Sequence, residues 1–195
     1  MSLKHALLGI LSHGPMTGYE LKQFFDSSVQ HFWNAELSQI YPTLKNMEEL
    51  GYVDKHVEVQ ENRPNRKVYD ITDAGRDEFA RWAREPAPPA DLRDPFLIKI
   101  FFGSELPVED ILILLRRQKE EEQKVLVFSE TVLRARIDHA DEEHKELGDA
   151  TTFWRLTLDM AIAHRRAYIA WCDEAICTLE SLDAARASQA SGDDA

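Results

Sequence analysis

The sequence predicts a mainly α-helical protein in two units, with one small β-hairpin in the first unit. Residues 1–84 contain three helical apolar patterns, a hairpin pattern and a fourth helix. The segment EPAPPA then predicts an extended linker over residues 85–93, because it has three prolines in six residues. Only helical patterns follow, over residues 94–180, and the small polar residues in 181–195 predict a disordered tail.

The first two helices are indicated by apolar spacing and by start and stop residues. Apolar residues recur at helical spacing through residues 3–11, and a Gly-Pro pair ends that helix. Thr17 has the properties of an N-cap, with Glu20 three residues later in the capping-box position. A second helix is therefore expected from about Tyr19 toward Trp33.

The third helix, in ELSQIYPTLKNMEELGYV at residues 36–53, contains a proline. Its apolar stripe consists of Ile40, Leu44, Met47 and Leu50. Pro42 has no backbone N–H and would break an established helix, so the helix is expected to begin at Ser38 as N-cap, with the proline at or just past the first turn. A kinked core helix is the alternative interpretation.

Polar side chains are expected on the face of the third helix opposite its stripe. These outward residues are Ser38, Gln39, Tyr41, Thr43, Lys45 and Asn46. Serine, glutamine and asparagine can hydrogen-bond to base edges, and tyrosine and lysine can hold phosphates. The same face also fits an ordinary solvated helix surface.

A basic hairpin follows the third helix. Two strands are expected at 52–60 and 67–71, and Thr72 is expected to cap a fourth helix. The intervening ENRPNRK turn carries Arg63, Asn65, Arg66 and Lys67. A short exposed loop with arginines suits contact with a DNA backbone or minor groove, although it also suits a soluble turn. The order helix, helix, helix, hairpin, helix is that of a winged helix-turn-helix.

Three segments within residues 3–84 resemble the PadR family of bacterial transcriptional regulators: TGYELKQFF, IYPTLKNMEELGYV and RKVYDITDAG. The resemblance implies a winged helix-turn-helix followed by a helical domain that forms a homodimer, and the long second part resembles the virulence-activator type. By position, it implies DNA contacts from Tyr19, Ser38, Gln39, Tyr41, Pro42, Lys45, Arg63, Arg66 and Lys67. Known effectors of the family include phenolic acids, so it also implies a small aromatic effector.

The C-terminal helices predict a dimer contact. Helices are expected at 94–103, about 107–146 and about 152–179. The last helix carries two apolar stripes, which indicates burial on both sides and hence a partner chain. The expected dimer residues are Ile111, Leu115, Phe153, Leu156, Met160 and Trp171.

Composition limits the compartment and the partners. The net charge of −12 lies mostly after residue 84, which argues against nonspecific nucleic-acid coating but allows a local basic patch. No apolar run approaches the length of about 18 residues needed for a membrane span, so no membrane partner is expected. Cys172 and Cys177 would lie roughly 7.5 Å apart along one helix, too far for an unstrained disulfide. Reduced thiols suit the cytoplasm.

Other kinds of site are poorly supported. No phosphate-binding glycine loop, Gly-x-Ser-x-Gly elbow or Cys-x-x-Cys pair occurs, so no catalytic residue or cofactor is expected. His139 and His144 would diverge by about 140° on one helix, so no metal site is expected. The four tryptophans could line a pocket for an aromatic ligand or serve in packing.

These patterns predict a homodimeric, sequence-specific DNA-binding regulator. It is expected to be a repressor of a pseudo-palindromic operator, released by a small-molecule or stress signal. A winged-helix protein–protein adaptor without a DNA target is the alternative.

Overall fold

The computed structural model describes residues 3–29, 32–59, 65–89, 93–143 and 148–192. These residues form two compact units, Met1–Ala90 and Asp91–Ala195, called below the N-terminal unit and the C-terminal unit. Each unit contains its own apolar cluster. The mainly helical architecture with one small sheet confirms the predicted fold class.

The N-terminal unit has the element order of a winged helix-turn-helix, with one added strand. Its elements are α1 (Leu3–Leu11), β1 (Met16–Thr17), α2 (Gly18–Ser28), α3 (Leu37–Glu49), β2 (Val53–Glu58), β3 (Arg66–Ile71) and α4 (Asp73–Ala83). The strands form an antiparallel sheet in the order β1-β3-β2. Strand β1 cannot be predicted from periodicity, because two residues are too few to show alternation.

The predicted apolar stripes form the core of this unit, except for Leu50, which lies past the last turn of the third helix and is 53% exposed. The fully buried side chains from the first three helices include Leu7, Leu8, Leu11, Leu21, Ile40, Leu44 and Met47. Two of the three N-caps predicted in this unit are confirmed: Thr17 forms a complete capping box with Glu20, and the Thr72 hydroxyl accepts from the backbone N–H of Gly75. Helix α2 ends at Ser28, short of Trp33.

The predicted start of α3 at Ser38 is wrong. Helix α3 begins at Leu37 after the N-cap residue Glu36, whose backbone N–H donates to Gln39 Oε1 at 3.1 Å. Pro42 therefore lies inside the helix, where its missing N–H leaves the Ser38 carbonyl without the usual partner four residues later. The helix persists through the proline because its apolar stripe is fully buried, and such tertiary packing outweighs local propensity.

A part-buried carboxylate joins α1 to α4. Glu78 accepts from Lys4 Nζ and Arg81 Nη2, each at 2.6 Å, and its Oε1 lies 3.1 Å from His5 Nε2. The His5 ring also stacks on Trp82, with centroids 4.5 Å apart. The neighbouring Lys4 and Arg81 cations lower the pKa of Glu78 to about 2.

The substitution Glu78→Gln is expected to destabilise the N-terminal unit near neutral pH and to matter less as the pH falls. A carboxylate with a depressed folded-state pKa contributes stability above its unfolded pKa of about 4.3, and this contribution disappears as the pH falls through the folded value. Urea unfolding at about pH 7 and about pH 3 measures the difference. Glu85→Gln is the exposed control on Arg81. An equal deficit for Glu78→Gln at both pH values would contradict this account.

The C-terminal unit is a helical hairpin with a short leading helix. Its elements are α5 (Pro95–Phe101), a 3₁₀ turn (Gly103–Glu105), α6 (Val108–Phe128), a π-helical turn (Ser129–Leu133), α7 (Arg134–Glu143) and α8 (Ala150–Gly192). The helix predicted over 107–146 is thus divided by the π-helical turn, and residues 144–147 lie outside the described part of the chain. Asp94 caps α5, accepting from Phe96 N at 2.8 Å, and it also accepts from the Tyr168 hydroxyl at 2.9 Å.

Ion pairs show that α6 and α7 run antiparallel to α8. Residues of α6 pair with later residues of α8, and residues of α7 pair with residues near the start of α8. The pairs are Arg116–Glu180, Lys119–Asp173, Glu122–Arg165, Glu130–Arg166, Arg134–Asp159 and Asp138–Arg155. The apolar centre between α6 and α8 is formed by Ile111, Leu115 and Cys172, with Phe96 and Trp171 packed against it.

Helix α8 is longer than predicted. Residues 181–192 continue the helix, so the expectation of a disordered tail from residue 181 is wrong for this segment. Its sequence, SLDAARASQASG, is rich in alanine and also contains leucine, arginine and glutamine, which are good helix formers. Cys172 is buried and Cys177 is exposed, and both are free thiols as predicted. Among the described helices, none has both the length and the apolar character for a bilayer span.

Candidate nucleic-acid interface

The outer face of α3 is polar and exposed. Ile40, Leu44 and Met47 are fully buried, which turns the other side of the helix to solvent. The exposed residues are Ser38, Gln39, Tyr41, Pro42, Lys45 and Asn46, and Thr43 is half-buried with its hydroxyl donating to the Gln39 carbonyl at 2.7 Å. The side of the helix expected to face solvent is therefore correct, even though the helix starts earlier than predicted.

Tyr41 is held at the crossing of α2 and α3. A Cβ atom added to Gly18 would lie 2.5 Å from Tyr41 Cε1, so the phenol ring of Tyr41 packs directly over the start of α2. Tyr19, the next residue in α2, is 59% exposed. The two tyrosines thus add exposed phenol groups beside the polar face of α3, and glycine at position 18 makes this close approach sterically possible.

The wing is formed by β2, β3 and the turn between them. Arg63 lies in 60–64, outside the described residues. Asn65, just before β3, and Lys67, within it, are exposed. Arg66, between them, pairs in register with Glu58 on β2.

Arg66 has a carboxylate partner that sequence patterns do not reveal. Its Nη2 atom donates to Glu20 Oε1, although the two residues are 46 positions apart. The other oxygen of Glu20 accepts from the Thr17 backbone N–H and hydroxyl, each at 2.8 Å. These hydrogen bonds with Thr17, together with Arg66, lower the pKa of the Glu20 carboxyl and keep it ionised.

A cleft of about 590 Å³ separates the outer side of α3 from strands β2 and β3. Its lining residues are Tyr41, Lys45, Glu48, Glu49, Lys55, Lys67 and Tyr69. Within it, Lys55 Nζ lies 2.6 Å from Glu48 Oε1, which raises the pKa of the lysine, and Lys45 Nζ lies 3.7 Å from Glu49 Oε1. The alternation of β2 and the helical spacing of α3 can each place Lys55 and Glu48 on a polar side of their own element. Neither pattern predicts the ion pair between these two residues.

The C-terminal unit presents an apolar face on α8. Phe153, Leu156 and Met160 are 63%, 59% and 69% exposed, whereas Leu158 and Ile162 on the opposite side are buried. The expectation that Ile111 and Leu115 contact a partner is wrong, since they are 4% and 0% exposed within the protomer's own core.

The observed contacts of two tryptophans are packing contacts within each unit. Trp82 stacks on His5, and Trp171 packs edge-on against Phe96 with ring centroids 6.4 Å apart. Among the described residues, no group of three or more histidine, cysteine, aspartate or glutamate side chains could hold a metal ion, and His144 lies outside that set.

Two family models match the two units in turn. The model of the transcriptional regulator PadR-like family matches residues 7–81, and that of the virulence activator alpha C-terminal domain matches residues 92–180. The negative transcriptional regulator PadR of Bacillus subtilis is 27% identical over 179 residues, covering 91% of this chain and 97% of that protein. The Vibrio cholerae virulence activator AphA is 30% identical, with a TM-score of 0.72 over 93% of this chain and 99% of its own.

The chain belongs to the PadR-like family of transcriptional regulators. Bacillus subtilis PadR has been solved in complex with operator DNA, and that structure matches with a TM-score of 0.75 and 26% identity over 92% of this chain and 99% of its own. The same regulator has also been solved with p-coumaric acid, where the match covers 91% of this chain and 95% of that chain, at a TM-score of 0.71 and 26% identity. The PadR-like family model, which matches residues 7–81, covers nearly all of the winged helix-turn-helix of this PadR-like protein.

Proposed function

We propose that this PadR-like protein is a cytoplasmic repressor that binds a pseudo-palindromic operator as a homodimer. The observation that carries the proposal is the outer face of α3, which is polar and exposed while Ile40, Leu44 and Met47 anchor the helix in the core. A polar helix face beside a basic wing has the groups required to read base edges and hold phosphates. The operator complex of the Bacillus subtilis relative supports this assignment.

The proposed contacts divide between bases and backbone. Ser38, Gln39 and Asn46 are assigned to base edges, because their side chains offer hydrogen-bond donors and acceptors. The other residues are assigned to DNA phosphates or to packing against the DNA backbone. They are Tyr19, Tyr41, Pro42, Thr43, Lys45, Arg63, Asn65, Arg66 and Lys67. Within this proposal, residues 1–84 form the DNA-binding domain, and a dimer would present two such domains to half-sites about one or two helical turns apart.

Dimerisation is assigned to residues 94–180. Phe153, Leu156 and Met160 form an exposed apolar row on α8, and burying each such side chain contributes about 1.5–3 kcal/mol. Trp171 packs within the protomer. The proposed contact therefore centres on the first three turns of α8.

Release from DNA is assigned to a small aromatic molecule or a stress signal. The relative solved with p-coumaric acid supports an aromatic ligand class. A ligand that binds one arrangement of the dimer more tightly shifts the population toward it, and operator affinity falls if that arrangement separates the half-site readers.

Selection from a pool of randomised DNA duplexes by the full-length protein tests the proposal. A sequence-specific dimer is expected to enrich an inverted repeat, and a gel shift then measures affinity for the selected duplex. An adaptor without a DNA target would enrich no sequence, and that result would overturn the proposal.

Lys45→Ala is expected to weaken binding to all duplexes rather than to change sequence preference. Loss of one phosphate contact reduces the slope of log affinity against log salt by about one unit. Lys124→Ala, which removes an exposed lysine from α6, is the control with the same charge change and is expected to leave the slope unaltered. A salt slope for Lys45→Ala equal to that of the control would remove Lys45 from the interface.

A further inference from the structure

One carboxylate joins the start of α2 to the base of the wing. Glu20 Oε2 closes the capping box with Thr17, while Oε1 of the same side chain accepts from Arg66 Nη2. Thr17 also belongs to β1 and pairs with Val68 on β3, two residues beyond Arg66. The backbone of Arg66 is therefore held by strand pairing in the sheet, and its guanidinium group is held by Glu20 at the start of α2.

Arg66 can keep this partner and still bind DNA. A guanidinium carries five N–H donors, and the described contact with Glu20 uses Nη2. The Arg66 side chain is 41% exposed, so part of it still faces solvent. Exposed Tyr19 and Lys67 adjoin Glu20 and Arg66 in sequence, so the pair lies within the proposed interface.

We propose that Glu20 is a positioning residue for operator binding, which fixes Arg66 against α2 so that its remaining donors meet a DNA phosphate beside the wing. This inference rests on the proposed function. Holding the arginine in one conformation before binding removes part of the cost of ordering a long side chain. A carboxylate without this role would only repel the phosphates, and its removal would then strengthen binding.

The variant Glu20→Gln separates these effects. Glutamine serves at the third position of a capping box, so the variant keeps the start of α2 while losing the charge that holds Arg66. Its affinity for the duplex selected by the wild-type protein is expected to fall about three- to tenfold, with an unchanged salt slope. Arg66→Ala is expected to weaken binding and also to lower the salt slope by about one unit.

The double variant distinguishes positioning from a general structural role. If Glu20 acts through Arg66, then Glu20→Gln causes no further loss of affinity in the Arg66→Ala background, where removing the carboxylate only relieves its repulsion of the phosphates. An equal loss in both backgrounds would show that Glu20 acts on the fold alone and would overturn the inference. Glu58→Gln is the control, since it removes an exposed carboxylate directly across the strand pair from Arg66 and is expected to bind as tightly as the wild type or slightly more tightly.

The result for the wild-type protein keeps this inference separate from the proposed function. If no duplex is enriched, the DNA-binding proposal itself fails. If the wild type binds its selected duplex and Glu20→Gln binds equally or more tightly, only the positioning role of Glu20 is overturned. Helix content measured by circular dichroism checks that α2 remains formed in each variant.

Discussion

Gly75→Ala is expected to destabilise the N-terminal unit by about 3 kcal/mol, through overpacking that no side-chain movement can relieve. A Cβ atom at this position would lie 2.2 Å from the carbonyl oxygen of Tyr52, which is a backbone atom. That oxygen also accepts from the Thr72 N–H at 3.1 Å, and Thr72 in turn caps α4 at Gly75. The added methyl group therefore pushes apart the junction between β2 and α4.

Urea unfolding followed by circular dichroism measures this loss, and Gly9→Ala is the matched control. A Cβ atom at Gly9 would lie 3.1 Å from Phe79 Cε2, at the end of a ring that can shift. Alanine also favours a helix over glycine by about 1 kcal/mol, so the control is expected to be close to neutral. A Gly75→Ala protein as stable as the control would show that the Tyr52 carbonyl is not fixed.

Periodicity and caps were sufficient to predict which side of each early helix faces the core. Ile40, Leu44 and Met47 point inward as expected, since burial of an apolar stripe determines helix orientation whatever the first residue is. The start of α3 was predicted less accurately than its orientation. The rule that proline breaks a helix considers only the local backbone, and it omits the stabilisation that α3 gains from burying its apolar stripe.

The partners of charged and apolar residues were harder to predict than their exposure. Glu20 reads in the sequence as a capping residue and Arg66 as a wing cation, and nothing in either pattern joins residues 46 positions apart. Ile111 and Leu115 similarly appear in the sequence as apolar residues that must be buried against another element. Their spacing could not show that this element is α8 of the same chain rather than a partner chain.

The double substitution Leu156→Glu and Met160→Glu is expected to convert the dimer to a monomer. Both side chains are more than half exposed in the protomer, so the charges are tolerated by the isolated fold but would be desolvated in an apolar contact. Light scattering at micromolar concentration measures the mass. The matched control exchanges the two residues, as Leu156→Met with Met160→Leu, which keeps the apolar surface and is expected to remain dimeric. A dimeric mass for the charged variant would show that the contact lies elsewhere.

Loss of the dimer is expected to cost far more operator affinity than loss of any single DNA contact. Two linked half-site readers bind with an effective concentration that can raise affinity by about 10²- to 10⁴-fold, and a monomer forfeits this gain while each α3 face stays intact. The charged variant should therefore bind the full inverted repeat at least about a hundredfold more weakly than the control, yet bind an isolated half-site equally well. Equal losses on the full and half sites would instead mean that the substitutions had damaged the DNA-binding unit. The half-site measurement thus separates dimerisation from DNA reading.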